Sequence, residues 1–464
     1  MVAVCAVACL ASGAVAVSSS HEPAQGAAAA APTPATPVFS LRRVAGAVSR
    51  TVAADRLRPA LDGWLAGADN ACVAVRDPDG RVLYEEGADK SLIPASNLKL
   101  VTATVALAKM GADFRYATPV KASAPVAADG SVSDLWLVGS GDPLLATSDF
   151  AAIAGWLERP RPFTSIEGLA DRIVNAGVKR VGRLLGDESR YDTVRYLPTW
   201  APNYATDPDI GPQSALQLNG GFTQVRPKAI PQTSPGTDVA NVLAGLLRAR
   251  GVAVGAVGEG KAPANAGVTV AQIESPTMAD IVGVMERDSD NLVAELLTKE
   301  LGARFGAGGT TAAGVAVERD TAAQLGLPVN PLVLTDGSGL DRSNRASCQL
   351  MDAVLTRSGV DGPVSKGLSV AGAIGTLTKR FVGSPAAGKV RAKTGSLDGV
   401  TSLSGWEAGK DGRELQFTML VNGIPNEAAG TTVQNQLVNV LAGYPDAPPP
   451  DSLGPLPVRP AGPG

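Results

Sequence analysis

Histidine is almost missing. The only one among 464 residues is His21, in a Pro- and Ala-rich stretch near the N-terminus, so the rest of the chain has no imidazole to act as general base or metal ligand. That excludes a Ser-His-Asp hydrolase and a His-ligated zinc hydrolase. Cysteine is scarce as well, with Cys5, Cys9, Cys72 and Cys348, and the last two alone cannot make a four-thiolate metal site. Neither sign of charge dominates: 41 basic and 44 acidic residues leave a net charge of -3. Nothing therefore points to a polyanion or an anionic membrane surface, and nucleic acid is set aside as a partner. Aromatic residues are few, at 4%, but the 45% hydrophobic content is that of a folded protein. The length suits one large core with insertions or about two to three ordinary domains.

The apolar run Val2–Val17 is too short for a comfortable bilayer span and ends in small residues, Ala14-Val15-Ala16, that resemble a signal-peptidase site. Residues 1–17 read as an export signal. No Lys or Arg occurs before Arg42, so the positive start of such a signal is missing. A start upstream of Met1 and retention as a weak membrane anchor stay open, and "AVAC" is too short an apolar lead to make Cys9 a convincing lipid-attachment site. Residues 18–37 form a Pro/Ala linker and residues 444–464 a Pro-rich tail, both short of the apolar bulk needed to pack. The folded part is expected from about Val38 to Gly443. Cys5 and Cys9 would leave with the signal. An exported setting permits a bridge between Cys72 and Cys348 without requiring one, and two small buried residues fit the sequence as well.

Without histidine, a nucleophile can still be activated by lysine, because burial and neighbouring cationic or polar groups lower its pKa from about 10.4 towards neutrality. Three segments offer the parts. In "PASNLKL", Pro94 marks a turn and Asn97–Lys109 carries apolar residues at helical spacing. Ser96 is then expected in the first turn of a helix, where free N–H groups favour negative charge, with Lys99 three residues on along the same face. Alone, the pair is equally what a capped helix with a solvated lysine looks like. Met278–Gly302 reads as a helix broken at "RDSDN", with Ser289-Asp290-Asn291 opening its second half; a helix-capping serine is the ordinary explanation. In "VRAKTGSLDGVTSLSGW", Lys393-Thr394-Gly395 joins a β-type stretch to Thr401–Trp406. Glycine there lets a ligand backbone approach an edge strand, and lysine and hydroxyls offer donors to a carboxylate, although a β-turn with a charged flank is the plain alternative.

Each segment is weak singly. Their order, Ser-x-x-Lys, Ser-Asp-Asn, Lys-Thr-Gly, is specific, and it resembles the penicillin-binding protein and β-lactamase superfamily of serine acyltransferases. The long separation of Ser96 from Ser289 leaves room for a domain-sized insert, which is similar to the D-alanyl-D-alanine carboxypeptidase/endopeptidase family, the class C low-molecular-mass penicillin-binding proteins of the penicillin-binding protein 4 type. "GSGDPLL" (Gly139–Leu145), "GRLLGDESRYD" (Gly182–Asp192), "SALQLNGG" (Ser214–Gly221), "SDNLVAELL" (Ser289–Leu297), "DGSGLDRSNR" (Asp336–Arg345) and "KTGSLDGVTSLSGW" (Lys393–Trp406) extend the resemblance over most of the folded chain. Leu144, Tyr191 and Asp341 depart from the usual Thr, Phe and small polar residue. The E-x-x-L-N glutamate with which class A β-lactamases deacylate is not found between Asn291 and Lys393. Slow release of penicillin is the implied behaviour.

The resemblance implies an α/β (α+β) transpeptidase-like domain, an antiparallel sheet flanked by helices, formed by residues 38–114 and 269–443, with a large β-rich insert at 115–268. The hairpins Ala71–Val75 with Arg81–Tyr84, and Thr401–Trp406 with Leu415–Val421, are expected in that sheet. In the implied chemistry, a neutral Lys99 takes the Ser96 proton, and Ser96 attacks the penultimate D-alanine carbonyl of a peptidoglycan stem peptide. The N–H groups of Ser96 and Ser396 stabilise the oxyanion. Ser289, beside Lys393, relays a proton to the leaving amine, and Asn291 holds the substrate backbone or Lys99. The Thr394 and Ser396 hydroxyls, with Lys393, bind the terminal carboxylate, and Gly395 lets the substrate backbone approach. Water completes a carboxypeptidase cycle, or an endopeptidase cycle when the leaving amine belongs to a cross-link. No metal or organic cofactor is called for, and β-lactam antibiotics would inhibit. Asp187 matches an aspartate associated with the free amine of a diaminopimelate side chain, with a strand-end turn former as the equal alternative. The implied location is extracytoplasmic, in the periplasm or cell wall. A catalytically silent cell-wall-binding relative and a β-lactamase or esterase of the same fold stay open as other readings.

Overall fold

The computed structural model describes residues 36–37, 39–65, 70–154, 161–206 and 209–455. The expected export signal, nearly all of the linker and residues 456–464 of the tail lie outside the described residues.

Two larger sheets are built from eleven strands: β1 Ala71–Arg76, β2 Val82–Glu86, β3 Ala117–Ala122, β4 Ser131–Val138, β5 Arg180–Asp187, β6 Ala253–Glu259, β7 Val268–Glu274, β8 Ser369–Val370, β9 Val390–Leu397, β10 Val400–Ala408 and β11 Glu414–Asn422. The first sheet runs β8-β9-β10-β11-β1-β2 with every neighbour antiparallel. Both expected hairpins lie in it, joined through the β1–β11 pair. Seven successive residues of β11, Leu415–Val421, are buried, as a strand covered on both faces requires. On one face, Leu403, Phe417 and Met419 meet Ala53, Leu57 and Leu61 of helix Ala45–Leu65 and Leu437 and Leu441 of helix Glu427–Leu441. On the other, helix Cys348–Ser358 is linked to β1 by the disulfide Cys72–Cys348, among Ala88, Leu92 and Leu420.

Helix Lys99–Met110 is buried from Lys99 through Ala106. Burial on every side makes it a central helix, and residues of helices Met278–Asp288, Asn291–Phe305 and Cys348–Ser358 share its core cluster. One sequence expectation changes here. The turn Ala95–Leu98 is a 3-10 turn, so Ser96 precedes the α-helix and does not sit in its first turn. Pro94 and a left-handed Ala95 (φ 48°) tighten the chain there.

The second sheet runs β6-β5-β4-β3-β7. β5 is parallel to both β4 and β6, and parallel neighbours need crossovers, which helices Ile166–Asn175 and Pro235–Ala249 supply. Ile166, Leu169 and Ile173 of one helix and Val239, Leu243 and Leu247 of the other pack on Leu135, Leu137, Val181 and Leu184. The insert is thus an α/β layer and not β-rich alone. β7, which begins at the expected end of the insert, is bonded to β3 along its length and closes this sheet.

Contacts divide the chain into residues 50–447 and a terminal unit of residues 1–49 with 448–464. Tyr444, expected to open a loose tail, is buried, and its carbonyl accepts the Lys410 N–H. In the terminal unit the Ser49 hydroxyl donates to the Pro448 carbonyl, and Pro450–Leu453 is a short helix. Among the described residues no helix is long and apolar enough to cross a membrane.

Candidate active site

Three elements deliver the motif residues. The Ser96 turn is pinned to the sheet by Asn97, whose Nδ2 donates to Ser402 Oγ (2.7 Å) and the Lys393 carbonyl (3.2 Å), while Ser402 Oγ donates to the Pro94 carbonyl (2.8 Å). Ser289 ends helix Met278–Asp288 in a left-handed conformation (φ 56°, ψ 36°), which breaks the helix and aims its hydroxyl sideways. The cap of the next helix is Asp290, which accepts the Val293 N–H; Ser289 therefore caps nothing with its side chain among the hydrogen bonds seen. Lys393, Thr394, Gly395 and Ser396 are consecutive in β9 and belong to no turn, and β8 pairs only with Arg391 and Ala392.

Lys99 is fully buried. Its Nζ lies 2.9 Å from Ser96 Oγ, 2.7 Å from Asn291 Oδ1 and 2.6 Å from the Ser338 carbonyl. Burial pushes its pKa down to about 8, against the pull of the Glu286, Asp336, Glu295 and Asp290 carboxylates. Once neutral, the amine has two hydrogens, which match the Asn291 and Ser338 oxygens. Its lone pair is then left facing Ser96, the arrangement a general base for that hydroxyl needs.

Lys393 is buried too, donating to Ser289 Oγ (2.8 Å) and the Thr394 carbonyl (2.9 Å). Burial, and then the positive charge of Lys99, lower its pKa to about 7. Thr394 Oγ1 lies 2.8 Å from Thr376 Oγ1, and Ser396 is exposed. Gly395 is needed for a different reason from the one its sequence suggests: a Cβ there would lie 2.2 Å from Ser402 Oγ and 3.0 Å from the Ser96 N. The glycine admits the Ser96 turn itself against the strand.

Ser96, Lys99 and Asn291 thus form one bonded group and Ser289, Lys393 and Thr394 a second, joined by Asn97. Asp187 is not bonded to either. Its carboxylate accepts the backbone N–H groups of Ser189 (2.9 Å) and Ala262 (2.8 Å) at the end of β5, the bonds of a turn former.

Several participants escape a sequence reading. Ser338 contributes a main-chain oxygen, and its N–H is held by Glu295 Oε1 (2.8 Å), whose carboxyl burial pushes up to about 8. Gly339, at φ +85°, lets this loop rest against the Ala95 carbonyl, which a Cβ would approach to 2.0 Å. Glu286 is fully buried with neither carboxyl oxygen bonded. Burial raises its pKa to about 7, opposed by Lys393 and Lys99. "DGSGLDRSNR" signals the loop, but nothing in the sequence marks a backbone acceptor, and a buried glutamate on a helix looks like a solvated one. The insert reaches the second motif: Arg161 pairs with Asp290 (2.6 Å), and Asn291 Nδ2 donates to the Asp209 carbonyl (2.9 Å).

Comparison with known proteins gives a consistent result. A family profile described as the D-Ala-D-Ala carboxypeptidase 3 (S13) family matches residues 54–235 and 226–444. A D-alanyl-D-alanine carboxypeptidase of Actinomadura sp. (strain R39) is 30% identical, over 83% of this chain and 82% of that one. Carboxypeptidase DacB of Mycolicibacterium smegmatis is 31% identical, over 79% of this chain and 80% of that one. In structure, penicillin binding protein 4 of Haemophilus influenzae superposes with a TM-score of 0.68 at 19% identity, covering 84% of this chain and 99% of that one. A predatory peptidoglycan endopeptidase of Bdellovibrio bacteriovorus superposes at 0.52 with 20% identity, over 82% and 94%. At such identities the structures speak for the shared fold.

Proposed function

Because the chain belongs to the D-Ala-D-Ala carboxypeptidase 3 (S13) family and is a serine peptidase of that class, we propose that its acyl-enzyme forms on Ser96 with Lys99 as the base. The observation that carries the reading is the buried Lys99 amine 2.9 Å from Ser96 Oγ, with two fixed acceptors for its remaining hydrogens. Lys99 takes the hydroxyl proton as Ser96 Oγ bonds to the penultimate D-alanine carbonyl carbon. The tetrahedral oxyanion accepts from the N–H groups of Ser96 and Ser396, each such donor being worth about 3 kcal/mol. As the intermediate collapses, the proton taken by Lys99 passes through Ser289, held by Lys393, to the leaving D-alanine amine, so Lys99 is neutral again when water later cleaves the ester. Lys393 and the Thr394 and Ser396 hydroxyls receive the terminal carboxylate, with Gly395 letting the strand lie close enough. Asn291 keeps the Lys99 amine in line.

The substrate is taken to be a peptidoglycan stem peptide in an extracytoplasmic setting, with β-lactams as acylating inhibitors. A Haemophilus influenzae neighbour was crystallised with a β-lactam, which supports this. Endopeptidase cleavage of cross-links belongs to the same reading. In domain terms, residues 38–114 and 275–443 make the catalytic part and 115–274 the insert.

Time-resolved labelling with a fluorescent penicillin, followed by intact mass, tests the scheme. A long-lived adduct on wild type, none on Ser96→Ala, and D-alanine release from a stem-peptide mimic are expected. An adduct that survives Ser96→Ala misplaces the nucleophile, rapid turnover of the drug means a β-lactamase, and neither adduct nor release means a silent wall-binding relative. For Asp187, a role in holding a diaminopimelate amine predicts that Asp187→Ala slows diaminopimelate-containing peptides and spares penicillin acylation. Equal loss of both leaves Asp187 its turn.

A further inference from the structure

From Thr394 of the third motif runs a chain of hydroxyls whose other members the scheme above does not use. Thr394 Oγ1 is 2.8 Å from Thr376 Oγ1, Thr376 Oγ1 is 3.0 Å from Ser369 Oγ, and Ser369 Oγ donates to the Arg287 carbonyl at 2.7 Å. Thr376 is exposed, Thr394 half-buried and Ser369 fully buried, so the chain leads from the surface at the motif to the end of helix Met278–Asp288. The segment carrying Thr376 is held firmly. Val370 and Ile374 exchange both backbone hydrogen bonds, and the Thr376 N–H donates to Ser369 Oγ (3.1 Å). Gly375, at φ +77°, is required by close contact: a Cβ would lie 2.4 Å from Ser369 Oγ and 2.5 Å from the Arg287 carbonyl oxygen.

Each hydroxyl has a single hydrogen, and that fixes the direction of the chain. Ser369 spends its hydrogen on Arg287, so Thr376 must donate to Ser369. Thr394 is then the donor in the contact with Thr376. In the unliganded protein the Thr394 hydrogen is therefore committed to Thr376. A carboxylate only accepts, so Thr394 can serve one only if this contact reverses: Thr394 donates to the carboxylate and Thr376 donates to Thr394. Two O–H bonds rotate, no proton changes owner, and Ser369 keeps both Arg287 and the Thr376 N–H. In the reversed chain, donation by Thr376 polarises Thr394 and strengthens its bond to the anion.

We propose that Thr376 is a positioning residue for the terminal carboxylate of the substrate, acting through Thr394. This rests on the reading above that Thr394 receives that carboxylate, and the test separates the two. The measurement is the ratio of kcat/KM for a peptide ending in D-Ala-D-Ala to that for the same peptide with a C-terminal amide. Both values come from one protein sample, so the ratio is independent of the folded fraction. Thr376→Val is expected to lower it roughly three- to ten-fold, the scale of one neutral hydrogen bond, and Thr376→Ser to restore it. An unchanged ratio in Thr376→Val, or a loss that Thr376→Ser does not repair, overturns the proposal if Thr394→Val still collapses the ratio. If Thr394→Val leaves the ratio intact, the carboxylate reading of Thr394 fails and takes the proposal with it.

Discussion

Burial lowers the pH at which the Lys99 amine can act as a base, and Glu286 is the first of the carboxylates that oppose it. Its carboxyl is buried without a hydrogen-bond donor, and its charge is the first of those that hold Lys99 up against burial. Near pH 8, where Lys99 loses its proton, Glu286 with its value of about 7 is ionised, so it opposes the loss. Asp336, Glu295 and Asp290 act on Lys99 in the same sense, while Lys393 is pushed down by Lys99 and held up by Glu286 and Asp288. In the proposed scheme acylation needs neutral Lys99, so its rate should fall as pH drops through the apparent value of the coupled groups. Glu286→Gln removes the opposing anion and should move this acid limb to lower pH. Penicillin acylation rates measured from about pH 5 to about pH 9 check it, and a limb that stays put or moves up rules it out. The Ser96–Lys99 contact was legible because a chain without usable histidine leaves lysine as the candidate base. Glu286 was not, since burial of a helical carboxyl is a property of what packs over it.

Among the elements, β9 has little room beside the Ser96 turn. Ser402 Oγ is fixed by Asn97 and by the Pro94 carbonyl, so it cannot retreat from a Cβ placed 2.2 Å away. Gly395→Ala should push β9 off the Ser96 turn and cut acylation about 10²-fold, the scale that an ångström of misplacement costs, with only a modest fall in Tm. Parallel acylation kinetics and thermal melts decide this; an equal loss in both would make the glycine a folding residue and nothing more. The two hairpins of the first sheet were readable from alternating and β-branched runs. The parallel β4-β5-β6 layer was not, because its pairing is between segments far apart in sequence. The same holds for β7, whose partner β3 lies across the whole insert. Ser96 likewise fell outside the expected helix, since the 3-10 turn depends on a left-handed Ala95 pressed against Gly339.

Across the whole molecule, the Cys72–Cys348 bridge closes a sequence separation of 276 residues that contains the insert and two of the three motifs' elements. Restricting so long a loop in the unfolded chain is worth about 2–4 kcal/mol in the usual range. Cys72→Ala with Cys348→Ala should therefore lower Tm clearly while leaving penicillin labelling of the folded fraction intact. An unchanged melt would show that packing among Ala88, Leu92 and Leu420 suffices. The sequence by itself determined the chemistry available: lysine in place of histidine, three motifs in order, an insert between the first two, and a family that those motifs identify. Tertiary structure alone decided that the Ser338 carbonyl faces Lys99, that Glu286 is desolvated, that Arg161 and Asp209 of the insert brace the second motif, and that Thr376 meets Thr394. These are contacts between segments remote in the chain, made by backbone atoms or by side chains whose properties come from burial, and neither leaves a local pattern in the order of residues.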